Sequence, residues 1–510
     1  MKDEDKFESV SLSNPNWCRE LHQFEPLVTR FARDMRLRIS MENITLKEII
    51  ESTNGKLLTP DIPEDTIVRR VISDNRKAQA GDLFIAIVGE KMDGHKFVNP
   101  ALNAGAVGAI VSKEPEEMLP GKFYVLVPDT LLAVGDLASY YRMQFQIPVI
   151  AVTGSVGKTT MKDMIASVLS EKYKVVATEG NYNNNIGVPR TLFRIDRDTE
   201  VAVVEMGMNH EGEIRYLTHM AHPTMAVITN IGDAHIGNLG SRENIFKAKC
   251  EIFEGLSLGG LAVMNADDEY LVKLKDDEKL MSDYKFKWVG EDEDADFGAL
   301  SIDDTIQDGL EFTMIVRRTR SGIDERDTIK VPARGRHMIY PVLTATAIAK
   351  KLDMSYEEII AGIKHYKPTA MRMETWKLGN GIIIYNDTYN ANPQSMKAGL
   401  HTLANTDATK RIAVLGDMLE LGDLEEDLHR SVGKKAAELS IDTLITIGKR
   451  ARYIADEARR GGLTDITSYD DAESAKDQLN DLLTDGSVLY FKASHAMALE
   501  KLAQFCKDNA

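Results

Sequence analysis

The sequence predicts an α/β protein of three domains, the central one a doubly wound, mainly parallel sheet that carries a phosphate-binding loop. Three observations predict it. Short, nearly continuous apolar strands alternate with amphipathic helices along most of the chain, as expected of strands buried on both faces. Between one such strand and the next helix stands Thr153-Gly-Ser-Val-Gly-Lys-Thr-Thr160. And 510 residues exceed one ordinary domain.

Taken in order, residues 1–40 show neither helical nor strand period and are expected to be an appendage without an assigned role. Residues 41–146 set the apolar runs "DLFIAIVG", "VGAIVS" and "FYVLVPD" among helical stretches such as "LLAVGDLASYYRMQF", predicting a small α/β domain. Residues 147–367 repeat strand, loop and helix: "VIAVTG" before "TTMKDMIASVLSEKY", "VAVVEMG" before "GEIRYLTHMA", "MAVITNIG" before "RENIFKAKCEIFEGL", then "LAVMNADD". The acidic stretch "EDEDADFGALSIDDT" is expected as a solvated loop leading into a hairpin region around "LEFTMIVRR". Residues 368–510 return to the alternation, with "GIIIYND", "RIAVLGD", "TLITIG" and "SVLYFKA" as strands. No G-x-G-x-x-G follows any of these, so a dinucleotide site is not expected there.

Composition narrows the function classes. With 43% hydrophobic and 28% charged residues, packed globular domains are expected. A net charge of −17 argues against a nucleic-acid binder or a protein held on anionic membranes. Cys18, Cys250 and Cys506 have no metal-like spacing and suit a reduced, cytoplasmic chain. No apolar run is long enough to cross a bilayer, and "MKDEDKFESV" is too charged for a secretory signal. A cytoplasmic protein without membrane insertion is expected.

The loop is where the chemistry begins. Val152 stands where the pattern G-x-x-x-x-G-K-[ST] has its first glycine. A phosphate cradle needs convergent backbone N–H groups, a helix N-terminus behind them and a lysine against the β- and γ-phosphates. Thr153, Gly154, Ser155, Val156, Gly157, Lys158, Thr159 and Thr160 supply all three, and the Thr159 hydroxyl suits Mg²⁺. In open parallel sheets ligands bind beyond the carboxyl ends of the strands. Two more predicted strand ends there carry metal- or phosphate-type residues: Glu205 in "VAVVEMGMNH", and Asn230, Asp233 and His235 in "AVITNIGDAH". The asparagines of "EGNYNNNIGVPRTL", among them Asn183 and Asn184, read equally as a turn-rich loop or as amides positioning a carboxylate or phosphate.

In chain order, "TGSVGKTT", "GNYNNNIGVP", "VVEMGMNHEGEI", "ITNIGDAHIGNLGS", "AKCEIFEGL", "MRMETW", "YNDTYNANPQSM" and "VLGDMLELG" resemble the Mur ligases of peptidoglycan synthesis, specifically their D-alanyl-D-alanine-adding branch. The resemblance runs from about Leu46 to Leu502. It implies a UDP-sugar-binding domain, a central ATPase and a C-terminal Rossmann-like domain. It also implies a reaction in which ATP phosphorylates the terminal carboxylate of UDP-N-acetylmuramoyl-tripeptide and the amine of D-alanyl-D-alanine attacks the acyl phosphate. ATP and Mg²⁺ are the implied cofactors, and a monomer is expected. Carried over residue by residue, Lys158, Glu205, His235, Lys249 and Arg372 are implied in catalysis, with Thr159, Glu205, His235 and Lys249 around the metal. Lys249, by itself an exposed helix lysine, is implied to be carbamylated. Arg372 and Asp387 are implied to close over ATP, and Asn390 and Asn392, with Tyr389, to face a substrate or the nucleotide. In the first domain Asp74, Arg76 and His95, with Asp93 and Gly94, match the UDP-sugar segment.

Some positions depart from the family form: Asn75 for Ser or Thr, Met338 and Pro341 for asparagines, and Ala493 and His495 for Gly and Arg. Alternatives are another ligase of the superfamily, adding a diamino acid or glutamate to folate, or a nucleotide-dependent switch that ligates nothing. "YNDTYNANP" argues against the first pair, and a UDP-sugar domain against the last.

Overall fold

The computed structural model describes residues 41–89, 92–306, 308–317 and 324–510. The segment 1–40, expected as an appendage, lies outside them. The described chain divides into two compact units, 41–145 with Leu192–Arg197, and the remainder from Gln146 onward.

The first unit holds a five-stranded sheet in the order Lys56–Leu57, Phe123–Leu126, Gly108–Val111, Asp82–Ile85 and Arg70–Ile72, all parallel except the first. Its strands Gly108–Val111 and Asp82–Ile85 are wholly buried and Phe123–Leu126 nearly so, which is why they read as apolar runs. Helix Leu46–Thr53 starts at a capping box of Thr45 and Glu48, and helix Thr130–Met143 at Asp129, whose carboxylate accepts two backbone N–H groups.

The second unit contains two sheets. One has nine strands, ordered Glu325–Val331, Leu310–Val316, Phe297–Asp303, Lys285–Gly290, Leu261–Asn265, Met225–Ile228, Val149–Thr153, Val201–Glu205 and Val175–Ala177. All neighbours are parallel except those at the Glu325–Val331 end, where two antiparallel pairs extend the sheet. Val149–Thr153 comes first in sequence yet sits inside the sheet, with later strands added on both sides. That is the topological switch point at which doubly wound sheets bind ligands. Helices Lys158–Leu169 and Ile339–Lys351 pack with these strands in the main apolar core, around Ile165, Val168, Val342 and Leu343. The acidic stretch is not loop throughout. Phe297–Asp303 is a strand whose first three residues, Phe297, Gly298 and Ala299, are buried, while Asp292, Glu293 and Asp294 ahead of it stay exposed.

The other sheet has six strands, ordered Glu374–Lys377, Ile383–Asn386, Ser487–Lys492, Lys410–Gly416, Thr443–Ile447 and Ile466–Tyr469. The four inner strands are those the sequence pattern predicts. Both edge strands escape that pattern because neither is continuously apolar: each is only half-buried. Among the described residues, no helix is long and apolar enough to cross a membrane.

Candidate active site

At the switch point, the buried strand Val149–Thr153 delivers the loop and the helix Lys158–Leu169 follows it. Val152, in the place of the absent outer glycine, is a fully buried strand residue, so the cradle begins at Gly154. Gly154 has φ 144°, and a Cβ there would lie 1.9 Å from Thr229 Oγ1 and 2.9 Å from Thr229 N. Gly157 caps the helix at φ 80°. The first-turn N–H groups of such a helix lack intrahelical partners and favour an anion.

The neighbouring strand end splints this loop from behind. Ser155 N–H donates to Asn230 O at 3.0 Å, Val156 N–H to Asn230 Oδ1 at 3.1 Å, and Asn230 Nδ2 to Val156 O at 2.9 Å. Thr229 Oγ1 adds a bond to Val156 O at 2.7 Å, and Gly232 N–H one to Ser155 Oγ at 2.9 Å. Asn230, expected to face metal or phosphate, therefore holds the loop instead. Its amide matches the loop's backbone groups, and both ends of that amide are engaged. Lys158 folds back over the loop, its Nζ donating to Gly154 O at 2.8 Å. Burial lowers its pKa, Glu205 opposes that, and Arg372 reinforces it.

Glu205 ends the next strand and is 1% exposed. Its Oε1 accepts from Asn183 Nδ2 at 2.8 Å. Glu205 Oε2 and Thr159 Oγ1 are buried without a hydrogen-bond partner among the described residues. Two buried oxygens left open at the end of a phosphate loop are the donor types a hard cation takes. The asparagine segment divides between its two readings. Asn184 Oδ1 accepts from the N–H groups of Ile186 and Gly187, at 3.2 and 2.9 Å, and makes the turn, whereas Asn183 aims Glu205.

His235, at φ 63°, has Nδ1 2.9 Å from Glu420 Oε2. Burial lowers its pKa, the neighbouring Glu420 carboxylate opposes that, and the charges of Lys158 and Lys249 lower it further. Lys249 is not the exposed lysine that its helix, Arg242–Cys250, suggests: it is 1% exposed. Burial pushes its amine well below the usual lysine range, and the charge of Lys158 adds to this. Asp233 acts electrostatically on Lys397. Among the described residues, no cluster of three or more His, Cys, Asp or Glu is arranged to hold a metal. Mg²⁺ commonly takes one or two protein oxygens with phosphate and water for the rest, so Thr159 and Glu205 fit it.

Arg372 stands over Tyr389, its Cζ 4.1 Å from the ring centroid, with Nε buried and lacking a hydrogen-bond partner among the described residues. Burial lowers the pKa of Lys492, Asp387 opposes that, and the charge of Arg372 adds to the lowering as it does at Lys158. Arg372 is flanked by Met371 at φ 59° and Met373 at φ 51°, left-handed conformations that cost roughly 1–2 kcal/mol for a residue with a Cβ. Asp387 helps keep that bend: its Oδ1 accepts from Met373 N–H at 3.2 Å and its Oδ2 from Lys492 Nζ at 2.6 Å and Tyr490 OH at 3.3 Å. Both carboxylate oxygens are thus engaged within the protein. Asn392 Oδ1 caps helix Pro393–Ala404, and Asn390 Oδ1 accepts from Ala391 N–H at 2.9 Å. Met338 and Pro341 are core residues, and the His495 ring lies 5.6 Å from that of Tyr389.

In the first unit, Asp74 caps a short turn through Arg76 N–H and pairs with the Arg76 side chain at 2.8 Å, with Asn75 opening the turn. Asp93 caps the turn at His95 in the same way. His95 Nε2 accepts from Ser112 N–H at 2.9 Å, leaving Nδ1 to donate to Asp93 at 2.6 Å. The hydrogen bond from His95 N–H leads the interactions that hold the Asp93 carboxyl far below its usual range. Thr229 and Glu420 carry no signal of their role in the sequence. Thr229 lies within "ITNIGDAH" and Glu420 within "VLGDMLELG", but neither spacing marks a contact made only in three dimensions.

Comparison with known proteins gives three family matches: "Mur ligase family, catalytic domain" over residues 68–142, "Mur ligase middle domain" over 152–349, and "Mur ligase, glutamate ligase domain" over 371–495. The chain is 36% identical over 464 residues to the UDP-N-acetylmuramoyl-tripeptide–D-alanyl-D-alanine ligase of Bacillus subtilis (strain 168), spanning 90% of this chain and 97% of that one. Among solved structures, the UDP-N-acetylmuramoylalanyl-D-glutamyl-2,6-diaminopimelate–D-alanyl-D-alanyl ligase of Acinetobacter baumannii superimposes with TM-score 0.79 at 29% identity, covering 92% of this chain and 99% of that one. A MurF ligase from Thermotoga maritima in complex with ADP matches with TM-score 0.76 at 25% identity, covering 87% and 98%.

Proposed function

The chain belongs to the Mur ligase family, and from that premise we propose how its residues carry out the family's reaction. The protein is an ATP-dependent ligase that joins D-alanyl-D-alanine to UDP-N-acetylmuramoyl-tripeptide in peptidoglycan precursor synthesis. The observation that carries the assignment of roles is the meeting, at one sheet rim, of the glycine loop, Lys158 and the open oxygens of Thr159 and Glu205.

A carboxylate is a poor electrophile at neutral pH. Its oxygen attacks the γ-phosphorus of ATP, ADP leaves, and an acyl phosphate results. The dipeptide amine then attacks the acyl carbon, a proton leaves the nitrogen, and inorganic phosphate departs as the amide forms. Gly154 and Gly157 shape the cradle for the phosphates, and Lys158 and Arg372 offset the charge that passes to the leaving ADP. Thr159 and Glu205 would hold Mg²⁺, which would supply further charge neutralisation between phosphate and carboxylate. Asp387 and Tyr389 fix Arg372; Asp387 acts here as a positioning residue rather than a direct nucleotide contact.

Lys249 is the residue we assign to carbamylation. Its buried, poorly protonated amine is the form whose nitrogen lone pair attacks CO₂, releasing one proton and leaving a carboxylate-like group near His235 and Lys158. Asp74, Arg76 and His95 belong to the unit to which we assign the UDP-sugar. Domains at 41–146, 147–367 and 368–510, acting as a monomer, complete the proposal.

Phosphate release with purified UDP-tripeptide, adding candidate acceptors one at a time, tests this reading. Release should rise with D-alanyl-D-alanine and not with diaminopimelate, lysine or glutamate. ATP consumption indifferent to the UDP-tripeptide, without pentapeptide formed, would overturn it.

A further inference from the structure

We infer that Arg190 binds a carboxylate of the UDP-linked peptide other than the one ATP activates, an inference that rests on the ligase reading above. Arg190 lies on the helix Gly187–Leu192 with 5% of its side chain exposed. Its Nε, Nη1 and Nη2 have no hydrogen-bond partner among the described residues. The guanidinium stacks on Tyr182, Cζ 4.0 Å from the ring centroid, and Glu179 Oε2 is 3.9 Å from Nη2, outside hydrogen-bond reach. A guanidinium offers N–H donors in a planar fork that matches a carboxylate. The Glu179 carboxylate offsets part of the charge as a long ion pair, but the N–H groups are left without acceptors, which is costly in a buried guanidinium unless a ligand supplies them.

Its location supports a substrate partner. Tyr182 directly precedes Asn183, whose amide holds Glu205. The Arg190 helix packs flush on that turn: a Cβ on Gly187 would lie 2.2 Å from the Tyr182 carbonyl carbon. Thr191, the next residue, has Oγ1 3.4 Å from Thr178 Oγ1, which accepts from Glu205 N–H. Arg190 therefore belongs to the segment that positions the Glu205 carboxylate. The Acinetobacter ligase is named for a peptide with glutamyl and diaminopimelyl residues, and each of these bears a carboxylate beyond the one that reacts. A contact with such a group is the same in ground and transition states, so it lowers KM and leaves kcat alone.

The test compares wild type with Arg190→Met and Arg190→Lys. Each is assayed with intact UDP-tripeptide and with two monoamides, one at the free glutamyl carboxylate and one at the non-reacting diaminopimelyl carboxylate. Arg190→Met removes N–H groups that lack acceptors but also the long ion pair to Glu179, so its melting temperature without ligands should stay within a few degrees of wild type. Its KM for UDP-tripeptide should rise about 10- to 100-fold, the scale of a charge-assisted pair. Its kcat and its KM for ATP should stay within about twofold. Arg190→Lys, which keeps charge without the fork, should fall between. One of the two monoamides should raise the wild-type KM but not that of Arg190→Met, and so identify the carboxylate. An unchanged KM for UDP-tripeptide, a rise in the KM for ATP instead, or monoamides that cost variant and wild type equally would overturn the inference. Wild type unable to form the product from intact tripeptide is a separate result, and it would sink the ligase reading itself.

Discussion

Asn183 Nδ2 donates to Glu205 Oε1 at 2.8 Å, while Glu205 Oε2 has no protein partner among the described residues. One oxygen is held and the other is open. Asn183→Ala should therefore cost about 1–3 kcal/mol of stability, because it leaves a buried acceptor unpaired. Asn183→Asp should impair activity more, by placing a second carboxylate against the first and favouring protonation of the pair. Urea unfolding and kcat at neutral pH check both. Equal activity in the two variants would show that the amide only fills space.

The two loop glycines should differ in tolerance. Gly154→Ala drives a Cβ into Thr229, backbone nitrogen included, and should abolish nucleotide binding. Gly157→Ala meets open space and bears only the left-handed backbone, a cost of roughly 1–2 kcal/mol. Calorimetric titration with ADP should find no binding for the first and weakened binding for the second.

Lys249 should leave a signature in stability against pH. Burial lowers its pKa in the folded chain, whereas the unfolded chain keeps the ordinary value of 10.5. Between the folded pKa and that value the unfolded chain holds a proton the folded one lacks, so stability should rise as pH rises through the window. Lys249→Met should flatten this slope, be more stable than wild type at neutral pH, and be inactive. Bicarbonate, by turning the folded chain's amine into a carbamate that holds no ammonium proton, should keep the wild-type slope and extend it to lower pH. Short carboxylic acids should restore part of the activity of Lys249→Ala; full activity of that variant without them would end the carbamate assignment.

Tyr389 supports Arg372 through its ring. Tyr389→Phe should leave the KM for ATP nearly unchanged. Tyr389→Ala should raise it by the equivalent of about 0.5–2 kcal/mol, the range of a cation–π contact. Steady-state kinetics on both variants separates ring from hydroxyl.

Much of the site was legible in the sequence, for a local reason. A phosphate loop is built by consecutive residues, with glycines for positive φ and a helix N-terminus immediately after, so its chemistry is written in one stretch. The strand ends carrying Glu205 and His235 were legible because parallel sheets gather their carboxyl ends at one rim. Asn183 and Asn184, adjacent in one turn, could not be told apart without knowing that Glu205 lies beside the first of them. The acidic segment before Phe297 hid a strand, because its charges masked the small residues facing inward.

By itself the sequence determined the α/β alternation, the place of the nucleotide loop and the family. Only the tertiary structure decided which side chains are left open. It buried Lys249 within reach of the Lys158 charge, engaged Asn230 and Asp387 internally, paired His235 with Glu420 and left the Arg190 guanidinium without acceptors among the described residues. The physical reason is that backbone conformation follows from neighbours along the chain, whereas burial and hydrogen-bond satisfaction follow from neighbours in space.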